Sequence, residues 1–271
     1  MSRQPLGQHF LVQGSILERI ARAACPDAEA PEREALVIEI GPGRGALTER
    51  LLARAERVVA IEIDAGLVKL LRAKFHDEPR LTMVEADALK TDLRQWGAAP
   101  IAGNLPYYAA TPIIEKVLSP QKVLSPEKAL PLGAAVSRAV FLVQKEVAAR
   151  LAAGPGSRDY GYLSVQTQMY GGVERLFDVP PSAFRPPPKV DSTVVRLLPR
   201  NRAAELGLTD TTRFLRFAGH CFRQKRKTLR NNLAGVYGKD AMDGWPEAGK
   251  RAEELSIEEL AKVYRRLAPS D

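Results

Sequence analysis

The amino-acid sequence predicts an α/β fold, in which a parallel sheet with helices on both faces is followed by a small C-terminal helical domain. Two observations predict it. Short β-branched runs alternate with helical patterns between residues 36 and 104, as in parallel sheets whose helices cross between strands. After Pro199 the pattern turns helical, so we place a catalytic domain over residues 1–198 and a helical domain over 199–271.

The individual elements follow from hydrophobic periodicity. Strands are predicted over residues 36–40, 58–64, 81–84, 101–104 and 192–198. Helices are predicted from Ala46, through Leu67–Leu71 and at the charged end of residues 139–151. Five prolines between Val179 and Lys189 exclude regular structure there, and three prolines in residues 119–133 predict a surface loop or insertion.

Capping signals mark the helices of the second domain. Thr209 or Asp210 is expected to cap a helix that runs into a basic stretch. Ser256 and Glu259 form a capping box that opens the final helix.

Composition excludes several classes of protein. The chain of 271 residues has no apolar run of about 18 residues, so no transmembrane helix is expected. Two cysteines and three histidines support neither a disulfide framework nor a metal site. The first five residues lack the apolar core of a signal peptide, so we expect a cytoplasmic protein without membrane contact.

The net charge of +8 is concentrated in one stretch of the second domain. Between Asp210 and Asp240 there are eight lysines and arginines and no acidic residue. A solvated helix face usually mixes charges of both signs, so this stretch favours a nucleic-acid surface over that simpler interpretation.

A glycine-rich turn follows the first predicted strand. Its glycines, Gly41, Gly43 and Gly45, allow a ligand to lie against bare backbone, and Glu62 ends the next strand where an acid can bind ribose hydroxyls. A nicotinamide-binding protein has a similar turn, and a glycine turn without a ligand is also possible on this pattern alone.

Acidic residues at three successive strand ends favour a different cofactor. Glu39 can pair with a cationic amino group, although it can equally anchor the loop, and Asp87 can accept a hydrogen bond from an adenine amine. Because the glycine spacing is also G-x-G-x-G, S-adenosylmethionine is favoured over a dinucleotide, and the fold becomes a Rossmann-like S-adenosylmethionine-dependent methyltransferase sheet.

A polar motif, Gly103-Asn104-Leu105-Pro106-Tyr107-Tyr108, follows the fourth strand. The nitrogen N6 of adenine is a poor nucleophile because its lone pair is delocalised into the ring. The Asn104 side-chain carbonyl and the Leu105 backbone carbonyl can each accept one N6 proton, while Pro106 makes the turn rigid and Tyr107 offers a stacking face. The motif therefore predicts adenine N6 methylation, against the alternative of a simple proline turn.

These motifs together resemble the ribosomal RNA adenine dimethyltransferases of the KsgA family, which are related to the Erm methyltransferases. The resemblance rests on Gly7-Gln8-His9-Phe10-Leu11, on residues 39–45 and 103–108, on Gln144–Leu151, on Phe184-Arg185-Pro186-Pro187-Pro188-Lys189-Val190-Asp191-Ser192 and on Arg226–Leu233. The Phe184–Ser192 motif favours the KsgA branch over the Erm branch.

The resemblance implies roles for individual residues. The cofactor contacts it implies are His9, Leu11, Gly41, Glu62, Asp87 and Asn104, added to Gly43 and Gly45 of the turn. It also implies that Phe184 stacks on the flipped adenine opposite Tyr107. The basic face that it places on rRNA phosphates contains Arg223, Lys225, Arg226, Lys227 and Arg230.

The substrate that the family implies is a pair of adjacent adenines in the 3′-terminal hairpin loop of small-subunit rRNA, within a partly assembled 30S subunit. An additional role as a late assembly checkpoint is expected, as are a monomeric state and no binding to DNA. Two alternatives remain: an Erm-type enzyme acting on large-subunit rRNA, and a non-catalytic assembly or transcription factor that retains the fold.

Overall fold

The computed structural model describes residues 9–26, 33–118 and 136–267, which form two compact units. The first unit comprises the described residues up to Ala148 together with Val173–Pro199. The second comprises Ala149–Gly172 together with the described residues from Arg200 onward. Across these described ranges, no helix is long and apolar enough to cross a membrane.

Seven of the described strands form one sheet, and two short strands pair separately. The strands in chain order are β1 (Phe10–Leu11), β2 (Val37–Ile40), β3 (Val58–Glu62), β4 (Leu81–Glu85), β5 (Ala99–Asn104), β6 (Val136–Gln144), β7 (Gly171–Val179), β8 (Phe184–Arg185) and β9 (Ser192–Pro199). Their order in the large sheet is β4-β3-β2-β5-β6-β9-β7, while β1 pairs with β8.

Helices alternate with the first strands and dominate the second unit. They are α1 (Gly14–Ala24), α2 (Ala46–Leu52), α3 (Ala65–Lys74), α4 (Ala110–Leu118), α5 (Lys145–Ala152), α6 (Tyr162–Tyr170), α7 (Thr211–Cys221), α8 (Leu229–Tyr237) and α9 (Ile257–Leu267). Short 3₁₀ segments lie at Leu93–Trp96, Pro181–Ala183 and Ala252–Glu254.

The central strands are parallel and buried. β2 pairs with β3 and β5, β3 with β4, and β5 with β6, all in parallel register. Every residue of β2 and β3 is buried, as expected for β-branched runs in the middle of a parallel sheet. Parallel strands end at the same edge, so Ile40, Glu62 and Asn104 come together there.

The sheet departs from the predicted parallel arrangement at β9. This strand runs antiparallel to β6, with Ser192 opposite Gln144 and Leu197 opposite Ala139. The prediction was wrong at this point because periodicity identifies a strand without specifying its direction.

The proline-rich segment contains more regular structure than predicted. Pro181–Ala183 forms a 3₁₀ turn and Phe184–Arg185 forms β8, whose partner is the two-residue strand β1. Proline is compatible with the first turn of a helix and with the flank of a short edge strand, which explains why the exclusion was too strict. The predicted insertion at residues 119–133 lies outside the described residues.

The predicted helix caps are present in the second unit. The Asp210 side chain accepts a hydrogen bond from the Arg213 backbone nitrogen at the start of α7. Ser256 and Glu259 form the reciprocal capping box, with hydrogen bonds of 2.8 and 3.2 Å. Both caps satisfy backbone N–H groups that have no partner within the helix.

The second unit also includes residues that the sequence analysis assigned to the catalytic domain. Within this unit the Ser164 hydroxyl donates a 2.6 Å hydrogen bond to the Arg150 carbonyl, and the Gly156 nitrogen donates a 2.7 Å bond to the Glu253 carbonyl. The excursion begins inside α5, where the helical pattern continues, so no boundary signal marks its start, although Gly154-Pro155-Gly156 lies within it. The first unit ends at Pro199, one residue beyond the predicted end of the catalytic domain at residue 198.

Candidate active site

A cleft opens at the carboxyl edge of the parallel strands, within the first unit. Its volume is about 290 Å³. It is lined mainly by residues 9–12, 39–44, 61–63, 86–89, 104–109 and 184–185. The structure thus brings together nearly all the residues that the sequence assigned to the cofactor and to catalysis.

The glycine turn shapes one wall of the cleft. Gly41 and Gly43 have φ of 70° and 58°, in the left-handed region where a side chain is strained. A Cβ atom at Gly43 would lie 3.1 Å from the Phe10 ring. Gly45 is different, because it does not line the cleft. A Cβ there would lie 2.8 Å from Leu71 and from Phe75, so this glycine allows α2 and α3 to pack closely.

Glu62 links the glycine turn to the end of β3. Its Oε1 accepts hydrogen bonds from the Ile63 and Asp64 nitrogens at 2.9 and 3.0 Å, and its Oε2 accepts one from the Gly43 nitrogen at 3.3 Å. Burial raises the pKa of Glu62 in spite of these bonds. The carboxylate lines the cleft and is held in place by backbone on both sides.

Glu39 is the most deeply buried acid of the site. Its side chain is 1% exposed, and its Oε2 accepts a 2.6 Å hydrogen bond from the Thr48 hydroxyl. Burial is the main cause that raises the pKa of Glu39 to about 7, and the nearby charge of Glu62 acts in the same direction. A bound cation would favour the ionised form.

Asp87 lies on the loop after β4. Its Oδ1 accepts a 2.9 Å hydrogen bond from the Leu89 nitrogen. Lys116 fixes the same loop by donating to the Leu89 and Thr91 carbonyls at 2.8 and 2.6 Å. Asp87 therefore lines the cleft from a loop that these hydrogen bonds hold in a defined shape.

The predicted catalytic loop follows β5 directly. The Leu105 nitrogen donates a 3.2 Å hydrogen bond to the Leu142 carbonyl of β6, and the Pro106 carbonyl accepts a 2.9 Å bond from Ala109. Asn104 donates from Nδ2 to the His9 carbonyl at 3.1 Å. The loop is therefore tied to the sheet, to α4 and to the N-terminal residues.

Aromatic side chains flank the catalytic loop. The Tyr107 hydroxyl lies 3.2 Å from the Ser192 hydroxyl, and its ring centroid lies 5.7 Å from that of His9. Phe184 also lines the cleft, but it is only 1% exposed and packs in the core of the first unit. Tyr108 is 62% exposed at the same cleft.

The chemistry of the cleft fits S-adenosylmethionine. Three carboxylates, those of Glu39, Glu62 and Asp87, line it beside bare glycine backbone. Such a set suits a cationic ligand that carries ribose hydroxyls and an adenine amine, whereas a pyrophosphate would meet repulsion there. Within the described ranges, no cluster of side chains could hold a metal ion.

The sequence analysis did not identify three residues that shape this site. Phe10 packs over Gly43 and lies 4.7 Å from the Arg44 guanidinium, Thr48 holds Glu39, and Ser192 contacts Tyr107. Phe10 lies within the Gly7–Leu11 motif and Ser192 within the Phe184–Ser192 motif, and membership of these motifs was the sequence signal for both residues. Thr48 has no motif signal beyond its position on the first turns of α2.

The five cations expected to bind RNA lie between α7 and α8 or at the start of α8, and all are exposed. Lys225 lies 3.6 Å from Glu253, and Arg230 lies 2.7 Å from Asp243. Within the described ranges of the chain, Arg223, Arg226 and Lys227 form no ion pair. The structure therefore divides this basic group into paired and unpaired cations.

Comparison with known proteins decides the family. A profile of the family described as Ribosomal RNA adenine dimethylase matches residues 1–268. The chain belongs to this ribosomal RNA adenine dimethylase family. The predicted enzyme class and the S-adenosylmethionine cofactor are thereby confirmed.

Relatives of this dimethylase share nearly its whole length. A protein from Acidobacterium capsulatum, named Ribosomal RNA small subunit methyltransferase A, is 45% identical over 97% of this chain and 90% of its own. A protein of the same name from Pseudomonas putida is 38% identical over 98% of this chain and 95% of its own.

Solved structures confirm the fold of the dimethylase. A dimethyladenosine transferase from Plasmodium falciparum has a TM-score of 0.73 at 26% identity and covers 94% of this chain and 96% of its own. The 23S rRNA methyltransferase ErmE has a TM-score of 0.67 at 25% identity, with coverage of 95% and 99%. The predicted Rossmann-like methyltransferase fold is therefore correct.

Proposed function

We propose that this chain methylates N6 of two adjacent adenines in the 3′-terminal hairpin loop of 16S rRNA of the small subunit. Each adenine receives two methyl groups from S-adenosylmethionine and becomes N6,N6-dimethyladenosine. The observation that carries the proposal is that Glu39, Glu62 and Asp87 line the same cleft as the loop from Asn104 to Tyr107.

The cofactor is held by the glycine turn and the three carboxylates. Gly41 and Gly43 supply bare backbone, Glu62 and Asp87 supply acceptors for hydroxyl and amine groups, and Glu39 supplies negative charge. Leu11 of β1 and His9, which directly precedes β1, line the same cleft. When bound, S-adenosylmethionine supplies an electrophilic methyl group on a sulfonium centre.

The catalytic loop activates adenine by hydrogen bonding and alignment. The Asn104 Oδ1 and the Leu105 carbonyl accept hydrogen bonds from the N6–H groups, which favours a pyramidal nitrogen whose lone pair can act as a nucleophile. After each methyl transfer the methylated nitrogen loses one proton to solvent. Tyr107 stacks on the base, which contributes on the order of 1–3 kcal/mol. Phe184, buried at the edge of the cleft, bounds the space for the base on the side opposite Tyr107. Pro106 keeps this turn rigid.

The second unit provides the contacts to rRNA. Its cations Arg223, Arg226 and Lys227 bind phosphates, with Lys225 and Arg230 shaping the same surface through their ion pairs. A loop adenine costs less to unstack than a paired one, which suits a hairpin-loop target. We further propose that a monomer acts in the cytoplasm on a partly assembled 30S subunit and so serves as a late assembly checkpoint.

The test is methyl transfer from labelled cofactor to small subunits and, in a separate reaction, to large subunits, both lacking adenine methylation, followed by mapping of the modified bases. Asn104→Ala is the variant and Asn201→Ala, outside the cleft, is its matched control. We expect dimethyladenine in the 3′-terminal hairpin, lost only in Asn104→Ala. Subunit binding without transfer would favour a non-catalytic assembly factor. Label confined to large-subunit RNA would favour an Erm-type enzyme, which the similarity to ErmE makes the nearest alternative.

A further inference from the structure

Residues 9–12, named the strap from here on, lie in the cleft between the glycine turn and the segment that carries Phe184. Phe10 pairs with Arg185 and Leu11 with Phe184, and the Val12 nitrogen donates a 2.9 Å hydrogen bond to the Ala183 carbonyl. The Phe10 ring packs against the glycine turn. The strap thus contacts both the cofactor turn and the segment that carries Phe184.

The strap also contacts the catalytic amide. Asn104 Nδ2 donates a 3.1 Å hydrogen bond to the His9 carbonyl, across 95 residues of sequence. A carbonyl can only accept, so this contact requires the nitrogen of the amide to face His9. The Asn104 oxygen then lies on the opposite branch of the planar amide. Within the described residues, no protein donor bonds to this oxygen, so it is left as an acceptor at the cleft.

The His9 side chain fixes the strap beside Asn104. Its Nδ1 lies 2.8 Å from the Pro186 carbonyl, so Nδ1 carries the proton in this contact. Its ring lies 5.7 Å from the Tyr107 ring at an angle of 32°. Removal of the imidazole would release the end of the strap whose carbonyl orients Asn104.

We propose that His9 is a positioning residue that acts through Asn104: it holds its own backbone carbonyl where that carbonyl orients the Asn104 amide with the oxygen toward adenine N6. The inference rests on the proposed function. It differs from a direct contact between His9 and the cofactor, because a positioning role affects the methyl-transfer step and leaves cofactor affinity intact. Small errors in placement are costly in such steps, since a displacement of about 1 Å can reduce a rate on the order of 100-fold.

The experiment compares His9→Ala, His9→Asn and His76→Ala. An asparagine at position 9 can donate its side-chain N–H to the Pro186 carbonyl and so replace the imidazole anchor. His76 is an exposed histidine outside the cleft, paired with Asp77, and its removal is the matched control. Single-turnover methyl transfer to unmethylated small subunits is measured at saturating cofactor, and the cofactor Kd is measured by calorimetry.

We expect His9→Ala to reduce the single-turnover rate by about 10-fold or more and to change the cofactor Kd by less than about twofold. His9→Asn should recover most of the rate, and His76→Ala should behave as wild type. A weakened cofactor Kd with an unchanged rate at saturation would overturn the proposal in favour of direct contact. Unchanged rate and Kd in His9→Ala would overturn it as well.

A second readout is independent of activity. The side-chain amide resonances of Asn104, assigned by their loss in Asn104→Ala, report the hydrogen bond to His9 in the absence of RNA. We expect these resonances to shift in His9→Ala and to return toward wild type in His9→Asn. If they do not move, the inference fails even where transfer is normal. If wild type transfers no methyl group while the resonances shift as expected, the proposed substrate is at fault instead.

Discussion

The Thr48 hydroxyl donates a 2.6 Å hydrogen bond to the Glu39 carboxylate at the end of β2, and both side chains are buried. Burial outweighs this bond and raises the pKa of Glu39 from 4.5 to about 7. The acid is thus set to change its charge near neutral pH, in a cleft built for a cation.

Stability should fall with rising pH because of Glu39. Between pH 4.5 and about 7 the folded state keeps a proton that the unfolded chain has released, so the contribution present below pH 4.5 is lost as the pH rises through 7. The loss is on the order of 3 kcal/mol. Glu39→Gln should remove this dependence in denaturant unfolding between pH 5 and 8. Glu85→Gln is the control, because Glu85 is exposed at the end of β4. If the free energy of unfolding changes equally with pH in wild type and in both variants, Glu39 is not the source of the dependence.

Cofactor binding should release a proton at pH 6.5. A cation in the cleft favours ionised Glu39, so the pKa of this group falls on binding and the affinity rises with pH through about 7. Calorimetry in buffers of different ionisation enthalpy measures the proton count. Wild type should release up to one proton more than Glu39→Gln. Equal release by both proteins would show that Glu39 does not face the cation.

Gly103 permits two strand ends to approach. A Cβ atom there would lie 2.5 Å from the Ile40 carbonyl oxygen, which is backbone and has little freedom to move. Gly103→Ala should therefore lower the free energy of unfolding by about 1–3 kcal/mol and slow methyl transfer by displacing Asn104. Gly154→Ala, with no atom within 4 Å, is the control. Similar unfolding midpoints for both variants would exclude this close approach.

The sequence predicted the parts of the fold that depend on local pattern. β2, β3 and β5 were recognisable because buried parallel strands read as β-branched runs, and the loops after them carried Gly41, Glu62 and Asn104. The cleft then followed from one geometric rule, that parallel strands end at a common edge.

Contacts between distant short segments could not be predicted in this way. β1 and β8 have two residues each, too few for a periodic signal, and they are brought together across more than 170 residues. The hydrogen bond between Tyr107 and Ser192 likewise joins positions 85 residues apart. Even a recognised motif gave the identities of these residues and not their partners.

The contact between Tyr107 and Ser192 should orient the stacking ring. Ser192 is fully buried, and its hydroxyl lies 3.2 Å from the Tyr107 hydroxyl. Tyr107→Phe and Ser192→Ala should each weaken RNA substrate binding by about 0.5–1.5 kcal/mol, the net value of one hydrogen bond. The double variant should be no weaker than either single variant, because both remove the same bond. Tyr170→Phe, which loses a 3.0 Å bond to Thr211 in the second unit, is the control.

Fully additive losses in the double variant would mean that the two hydroxyls act separately. A loss confined to Ser192→Ala would instead point to packing around the buried serine. KM for subunits and single-turnover rates, measured together, separate substrate binding from the chemical step.

Unpaired cations of the second unit should dominate the salt dependence of RNA binding. Arg226 and Lys227 form no ion pair within the described residues, whereas Arg230 lies 2.7 Å from Asp243. Each cation that contacts a phosphate releases counterions, so Arg226→Ala and Lys227→Ala should each lower the slope of log Kobs against log salt by about 0.7–0.9. Arg230→Ala should change the slope less, because Asp243 already neutralises its charge.

The measurement is equilibrium binding to unmethylated small subunits from 50 to 200 mM salt, a range in which phosphate contacts change affinity on the order of a thousandfold for a large interface. Asp243→Asn provides the reciprocal test. This substitution removes the negative charge that neutralises Arg230. The slope of log Kobs against log salt should therefore rise if Arg230 lies close enough to RNA to contact a phosphate. Equal slope changes for Arg226→Ala and Arg230→Ala would mean that the ion pair opens on binding, since an intact pair cannot release the same number of counterions as a free cation.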